Sequence, residues 1–434
     1  MEGSLGLIMF VVIFALILLG YPVALTLAGV ATIFGLIFVP DFLDLLPLRI
    51  MGVMQNYVLI AVPLFIFMGL MLEKSGLAET LLKTMARLFG KVRGGLAVSV
   101  IIVGALLAAS TGIVGATVIT MGLISLPTMI QQGYNKPLAS GTIAASGTLG
   151  QIIPPSIVLI LLGSVLNVSV GDIFAAAFIP GIILVGIYIC FVLIVSRLKP
   201  NFAPLPKVVL EESNSLFYKQ VLIAFVMPLL LILAVLGSIF TGVASPTEAA
   251  AVGALGAIVL AWVNGKLDFK AVKESAENTT KLTAMVFLIL IGATTFSLVF
   301  RGLGGDDYLT HLITSGNLSP LAFLLLVMVI IFIAGFFIDF IEIIFIFVPV
   351  VAPIFISMKM DLIWIGILIA LNLQTSFLTP PFGFALFYLK GVAPDNVKTS
   401  DIYKGVLPFL ILQVILLLIV LFFPSLFGLK GINF

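Results

Sequence analysis

The sequence predicts an all-α polytopic membrane protein built from two inverted repeats, each with a re-entrant helical hairpin and a broken transmembrane helix. Three observations predict this fold class: the composition, a duplicated polar interruption and the placement of basic residues. Of the 434 residues, 62% are hydrophobic and 9% charged, against roughly 25% charged in an ordinary soluble domain. A chain this apolar uses the bilayer as its solvent. A net charge of +2 without a basic stripe excludes nucleic acid as a partner.

The duplicated interruption is a pattern of prolines and polar residues that occurs in 109–180 and again in 335–408. In each copy a single proline, Pro127 or Pro353, precedes a Pro-Pro pair by 27 residues. The residues just before each pair are polar, in Ser146–Gln151 and in Asn372–Ser376. Matched interruptions in two halves of an apolar chain are the best sequence pointer to a transporter binding site.

Apolar segments of helical length follow one another along the whole chain. A helix needs about 20 residues to span a bilayer. The stretches 95–130 and 319–356 are longer and interrupted, so each fits two short full spans, one long broken crossing or one re-entrant hairpin. The segments fall near 4–19, 22–39, 57–73, 95–130, 137–165, 173–196, 220–240, 247–264, 282–300, 319–356, 361–389 and 404–427.

The basic residues, which favour cytoplasmic loops, narrow these alternatives. With the N-terminus outside and both stretches folded as hairpins, seventeen of the 21 lysines and arginines lie in cytoplasmic loops. A single crossing at 95–130 removes this bias, whereas two full spans give the same loop sides as a hairpin. The break at Ala109–Gly115 lacks charge and proline, which favours a buried tip. The four basic residues left outside are Arg49, Arg301, Lys359 and Lys430.

Five crossings separate the two hairpins, and this odd number predicts that the hairpins enter from opposite sides. The two copies are then inverted relative to each other, as in many secondary transporters. Residues 76–93 read as an amphipathic helix on the cytoplasmic surface, and 41–55 as its external counterpart. These surface helices either brace a scaffold or merely connect spans. The apolar face of the first comprises Leu77, Leu81, Met85 and Leu88.

The first hairpin tip, at Ser110–Gly115, offers hydroxyl groups and glycine. Backbone groups left free in lipid survive only when they are buried in protein or line a wet cavity. Turned inward, such oxygens suit a hard cation such as Na⁺. The alternative is a helix N-cap with small residues for close packing. The matching polar break at Ser146–Gln151 favours the cation site.

The second tip carries two acids, Asp339 and Glu342, between apolar residues. An acid at this depth is a functional candidate by default. The same Asp-x-x-Glu spacing fits a capping box, with Asp339 as N-cap and Glu342 at N3. We expect substrate or cation contact for Asp339 and a capping role for Glu342.

Each broken helix has Pro-Pro in mid-span, and proline frees the carbonyl four residues before it. The freed carbonyls lie around Gly150 and Gln151 in the first copy and around Ser376 and Phe377 in the second. Kinked helices satisfied by their neighbours are the alternative. Since no lysine or arginine lies mid-membrane, an anionic substrate must be neutralised by bound Na⁺ and helix N-termini.

Long motifs in these regions resemble the large membrane subunit of tripartite ATP-independent periplasmic (TRAP) transporters. They are Ser146–Ser156 with Leu126-Pro127 and Ser110–Gly115, and in the second half Phe337–Ile343 and Asn372–Phe384. The second-half motifs are similar to a branch associated with mannitol, chloroaromatic and monocarboxylate systems. The resemblance covers essentially the whole chain.

The resemblance implies an elevator-type fold like that of the ion transporter superfamily, in a Na⁺-coupled importer of a bacterial or archaeal inner membrane. It implies a small four-helix membrane subunit and a periplasmic binding protein that delivers a small organic acid. It places one Na⁺ site at Ser110, Thr111, Gly112, Ser146, Gly147 and Thr148, and another at Gly335, Asn372, Thr375 and Thr379. Substrate contacts are predicted at Ser110, Ser146, Ser156, Asp339 and Gln374.

We hypothesise that 1–94 forms scaffold and surface arm helices and that 95–196 forms the first transport repeat. Residues 197–281 then form a cytoplasmic loop and scaffold helices, and 282–434 the second repeat and a C-terminal helix. A self-sufficient Na⁺/dicarboxylate symporter of the same architecture is the alternative. An intramembrane hydrolase is disfavoured, because Asp339 and Glu342 are its only candidate acids and the lone histidine, His311, falls in a loop.

Overall fold

The computed structural model describes residues 2–205, 220–316 and 318–431, and within these ranges every regular element is a helix. Eight of the helices in these ranges are long and apolar enough to cross a membrane. The predicted all-α polytopic membrane fold is therefore confirmed. The inverted relation of the two copies and the side on which the N-terminus lies stay predictions.

The first half contains two surface segments, one hairpin and one broken helix. Its helices are α1 (Glu2–Leu18), α2 (Val23–Phe38), α3 (Pro40–Leu43), α4 (Leu46–Met54), α5 (Ala61–Lys74), α6 (Leu77–Leu88), α7 (Gly95–Thr111), α8 (Val114–Gln131), α9 (Lys136–Thr148), α10 (Ile157–Leu166) and α11 (Val170–Leu198). A 3₁₀ turn, Leu149–Gln151, continues α9 towards the break.

The second half repeats the hairpin and the broken helix after four other helices in the described part of the chain. Its helices are α12 (Met227–Phe240), α13 (Pro246–Val263), α14 (Phe269–Gly302), α15 (Gly305–Ser315), α16 (Pro320–Ala334), α17 (Phe340–Ser357), α18 (Leu362–Leu378), α19 (Phe384–Val392) and α20 (Thr399–Phe422). A π-helical turn, Leu222–Val226, leads into α12. The prediction that His311 falls in a loop is wrong, because this residue lies in the short helix α15.

The predicted interruptions lie where the helices break. Two residues join α7 to α8, and the first of them, Gly112, has the left-handed φ of 60° that glycine adopts without strain. Five residues join α16 to α17. Both Pro-Pro pairs lie in the gaps of the broken helices, α9–α10 and α18–α19, and both have a cis bond.

The two broken helices form the centre of the molecule. Every residue of α18 from Trp364 to Leu378 is buried, and in α9 so is every residue from Leu138 to Thr148. Helices α7, α8 and α20 pack on α9, while α5 packs on α13 and α14. The polar residues that precede each Pro-Pro pair therefore lie in the shielded interior of the fold, whereas Pro381 and Phe382 in the second gap are exposed.

The surface helix α6 is amphipathic as predicted, with one error in its apolar face. Leu77, Leu81 and Met85 are buried, but Leu88 is 52% exposed because it is the last residue of the helix, and Leu82 is buried instead. The predicted external counterpart consists of the short helices α3 and α4, neither of which buries a residue.

The predicted boundary between 281 and 282 falls inside the continuous helix α14. This helix packs mainly on α2 and α5, both from the predicted scaffold. Its 34 residues span roughly 50 Å, so the helix extends beyond a bilayer core at the end that carries Lys270, Lys273 and Lys281.

Candidate functional site

The first hairpin tip closes on the first broken helix through glycines. A Cβ atom added to Gly104 of α7 would lie 2.6 Å from the Cβ and Oγ of Ser146 in α9. A Cβ atom on Gly150 would lie 2.5 Å from the carbonyl oxygen of Ala108. Only glycine permits approaches this close, so these two positions set the distance between the tip and the break.

The hydroxyl groups predicted for the first Na⁺ site are deeply buried at this junction. Ser110, Thr111, Ser146 and Thr148 are 0–4% exposed, and the neighbouring Gly112 and Gly147 are buried too. Three of the hydroxyls donate to carbonyls of their own helices: Ser110 to Leu107 at 2.8 Å, Ser146 to Ile143 at 3.0 Å and Thr148 to Ala145 at 2.9 Å. A hydroxyl whose proton is engaged keeps its lone pairs for an acceptor or ligand role. Oxygen ligands of this kind are those that hard cations prefer.

Thr117 belongs to this junction, although the sequence reasoning did not single it out. Its Oγ1 lies 2.9 Å from Oγ1 of Thr111 and donates to the carbonyl of Ile113 at 3.2 Å. Thr117 lies one turn into the helix that follows the tip, and a side chain at this position points back towards the tip. This position in the sequence is a signal that predicts Thr117 at the junction.

Ser156, predicted as a substrate contact, has a local bonding partner. Its Oγ donates to the carbonyl of Gln151 at 3.0 Å. This is the carbonyl that Pro155 frees by lacking a backbone N–H four residues on. The hydroxyl therefore satisfies a backbone group at the break and keeps only its lone pairs for any other partner.

The second hairpin tip closes on the second broken helix in a similar way. A Cβ atom on Gly335 would lie 2.2 Å from Oγ of Ser376. Asn372 donates its amide to the carbonyl of Met328 at 2.7 Å, which ties α18 to the first arm of the hairpin. The hydroxyls of Thr375 and Thr379 donate to Leu371 and Thr375, each at 2.7 Å. The predicted second Na⁺ site thus also presents oxygens whose protons are engaged.

Asp339 and Glu342 form the capping box that their spacing predicts. The Asp339 carboxylate accepts from the backbone N–H of Phe340 at 2.8 Å, and Glu342 accepts from the N–H of Asp339 at 3.4 Å. Both side chains are half-buried. A role in contacting substrate stays a prediction for Asp339, and it is compatible with the cap because a carboxylate accepts several hydrogen bonds.

A hydrogen bond from Gln374 joins the two broken helices. Its Nε2 donates to Oγ1 of Thr148 at 3.5 Å, across 226 residues of chain. Its Oε1, and both amide atoms of the buried Gln151, have no hydrogen-bond partner among the described residues. Leaving a buried polar group unpaired costs about 1–3 kcal/mol, so amides placed here are suited to a polar ligand or ion.

The fold is that of a multi-pass membrane protein with eight helices, among the described residues, that are long and apolar enough to cross a membrane. The fold is that of two solved transporters. A TM-score of 0.61 relates it to YdaH of Alcanivorax borkumensis, at 16% identity over 88% of each chain. For MtrF of Neisseria gonorrhoeae the TM-score is 0.58, at 15% identity over 87% of this chain and 83% of that one.

Residues 10–426 match the sequence profile of the family described as the tripartite ATP-independent periplasmic transporter, DctM component. The chain belongs to this family, which consists of transporter permeases and not of enzymes.

Three relatives in the family are similar to this chain over nearly their full lengths. The C4-dicarboxylate TRAP transporter large permease protein of Pseudomonas aeruginosa is 32% identical, over 93% of this chain and 92% of the relative. The sialic acid large permease protein of Vibrio cholerae is 30% identical, over 94% of both. The ectoine/5-hydroxyectoine protein of Ruegeria pomeroyi is 28% identical, over 96% of both. The predicted mannitol, chloroaromatic and monocarboxylate branch stays a prediction.

Proposed function

We propose that this chain is the large membrane subunit of a Na⁺-coupled importer that moves a small organic acid by an elevator motion. A periplasmic binding protein delivers the acid, and a small four-helix membrane subunit completes the complex in the cell inner membrane, with the N-terminus of this chain periplasmic. The single observation that carries the proposal is the pair of buried polar junctions, each formed by a hairpin tip against a broken helix.

Sodium binds, in this proposal, at both junctions. Six of the side chains predicted for the two sites, Ser110, Ser146, Thr148, Asn372, Thr375 and Thr379, donate protons to backbone carbonyls, and the Thr111 hydroxyl bonds that of Thr117. Their oxygen lone pairs are left for a cation. Gly112 lies against Ile157, the first residue of α10: a Cβ on it would lie 3.2 Å from that backbone nitrogen. The positive end of that helix favours the negative charge of a substrate.

The elevator motion requires a fixed and a moving part. We assign α1–α6 and α12–α14 to the scaffold, and the hairpins and broken helices to the moving part. With this assignment the whole of α14 belongs to the scaffold, which agrees with its packing on α2 and α5. The two parts meet where Gly69 of α5 lies against the first tip: a Cβ there would lie 2.6 Å from the carbonyl oxygen of Ser110.

Transport by reconstituted proteoliposomes tests this function. The chain is purified with its small subunit, and its binding protein is added outside with labelled succinate, sialic acid, isethionate or ectoine. We expect uptake of at least one organic acid only with an inward Na⁺ gradient and with the binding protein present. Equal uptake when choline replaces Na⁺ would contradict Na⁺ coupling, and uptake without the binding protein would favour the self-sufficient symporter.

A further inference from the structure

A cavity of about 730 Å³ opens between four helices away from both junctions. Helices α4 and α14 form one wall, and the end of α10 and the middle of α17 form the other. The volume is that of a small-molecule site, for which roughly 300–1,000 Å³ is typical. The cavity lies between the proposed scaffold and the proposed moving part.

Two arginines line the scaffold wall, Arg49 of α4 and Arg301 of α14. The topology predicted from charge places both on the outer side of the membrane, where only four basic residues lie in all. The Arg49 side chain has no hydrogen bond or ion pair among the described residues, while Nε of Arg301 lies 3.2 Å from a carboxylate oxygen of Asp306. Arg301 is thus partly neutralised, and Arg49 keeps its full donor capacity.

Both walls supply small polar groups. Asn56 donates to Oγ of Ser164 at 3.2 Å, which leaves the Ser164 proton free for a further acceptor. Asn167 ends α10 in the left-handed conformation, with φ of 54°. These groups, together with Ser297 of α14, add hydrogen-bond donors around the arginines, whereas the hydroxyl of Thr294 donates to the carbonyl of Leu290 at 2.7 Å.

We propose that this arginine cavity binds one anionic group, a carboxylate or a phosphate, at the outer face. A guanidinium presents a planar fork of N–H donors that matches either group with two parallel hydrogen bonds. Two sources have this chemistry: a dissolved organic acid and the headgroup of a phospholipid. The outer location and the organic-acid source rest on the proposed function, whereas binding of an anion by the two arginines does not.

A second cavity provides a matched control. It measures about 530 Å³ and is lined by Lys359 and Lys430, the other two basic residues predicted outside. It lies among α16, α18, α20 and the C-terminal segment, so it does not adjoin α4 or α14. Replacing these two lysines removes the same amount of charge from the same side without touching the arginine cavity.

The test compares Arg49→Gln/Arg301→Gln with Lys359→Gln/Lys430→Gln in the purified complex. Thermal unfolding is followed with added succinate, with inorganic phosphate and with micelles containing phosphatidylglycerol. We expect at least one anion to stabilise the wild type and the lysine variant, and the arginine variant to bind it about tenfold more weakly, the size typical of losing charge-assisted hydrogen bonds. Glutamine preserves much of the packing of the arginine stem, so a loss of binding with unchanged stability in the absence of anion reports the charge.

The pattern of stabilisation identifies the source. Arginine-dependent stabilisation by succinate and phosphate supports a dissolved anion, and arginine-dependent stabilisation by the lipid alone supports a headgroup. The single variant Arg49→Lys should retain only part of the anion binding of the wild type, since an ammonium cannot form the two-pronged contact. Equal stabilisation of both double variants by every anion, or no stabilisation of the wild type, would overturn the proposal. These outcomes are read without measuring transport, so a failure of Na⁺-driven uptake leaves them interpretable.

Discussion

The two junctions share a skeleton but differ in how they are closed. At the first, glycines and hydroxyls pack the tip against the break, and the hydroxyl residues there are at most 4% exposed. At the second, aromatic rings meet: Phe337 and Phe382 have centroids 5.4 Å apart and are 50% and 44% exposed. Only the second carries acids. The difference indicates that the first junction suits a bare cation, whereas a larger ligand can reach the second.

Removing the negative charge of Asp339 at the second tip should reduce uptake more than any other substitution considered below. Asp339→Asn keeps an N-cap acceptor, because asparagine caps as well as aspartate, but removes the carboxylate charge. We expect uptake to fall at least about tenfold, since losing a hydrogen bond to a charged group costs about 1.5–3 kcal/mol. Proteoliposome uptake measures this, with thermal unfolding as the check on folding.

Asp361→Asn is the matched control for this substitution. Asp361 caps α18 by accepting from the N–H groups of Ile363 and Trp364 at 2.8 and 3.0 Å. The same exchange there should leave uptake unchanged. An equal fall in both variants would assign Asp339 to capping alone, and normal Na⁺-driven uptake by Asp339→Asn would remove it from the site.

Replacing one glycine by alanine at each junction should lower the stability of the protein by different amounts. In Gly150→Ala the new Cβ meets the backbone oxygen of Ala108 at 2.5 Å, and overpacking of this kind costs about 1–3 kcal/mol. In Gly335→Ala it meets Oγ of Ser376, which can turn away, and Cβ of the same residue at 2.8 Å, which is farther off than the Ala108 oxygen, so we expect a smaller loss. The melting temperature of the purified complex reports both.

Gly237→Ala serves as the reference for these variants, because nothing lies within 4 Å of a Cβ added at this helical position. It should be neutral or stabilising, since alanine favours helix over glycine by about 1 kcal/mol. A larger loss for Gly335→Ala than for Gly150→Ala would contradict the tighter packing of the first junction.

The hydrogen bond between Gln374 and Thr148 should contribute less to uptake than the Asp339 carboxylate does. Gln374→Met keeps the length of the side chain but removes its amide, and with it the 3.5 Å bond to Thr148. A neutral hydrogen bond contributes about 0.5–1.5 kcal/mol, so we expect uptake to fall by less than about tenfold. No change in uptake would show that the junctions work without this contact.

The smallest effect is expected at Glu342. Glu342→Gln preserves the capping box, which accepts glutamine at N3, so uptake should change less than about threefold. A loss as large as that of Asp339→Asn would assign Glu342 to the site together with Asp339.

The helical breaks could be predicted because glycine, serine and Pro-Pro interrupt apolar runs that otherwise have no reason to end. The capping box could also be predicted, because it depends only on residues within the first turn of one helix. The extent of α14 was not predictable, because its charged first turns, around Lys270 and Lys273, resemble a loop although they continue the helix beyond the bilayer. The contact between Thr148 and Gln374 depends on how the copies pack, which no local pattern encodes.

Sodium binding at each junction, as proposed, should be visible in the Na⁺ dependence of uptake. Uptake is titrated with Na⁺ for the wild type, Thr148→Val and Thr375→Val. The control is Thr295→Val, which removes a buried hydroxyl that bonds the carbonyl of Ile291 within α14. We predict a sigmoidal dependence for the wild type and the control, and a several-fold higher half-saturating Na⁺ concentration for each junction variant. Coincident titrations for all four proteins, or uptake independent of Na⁺, would contradict sodium binding at the two junctions.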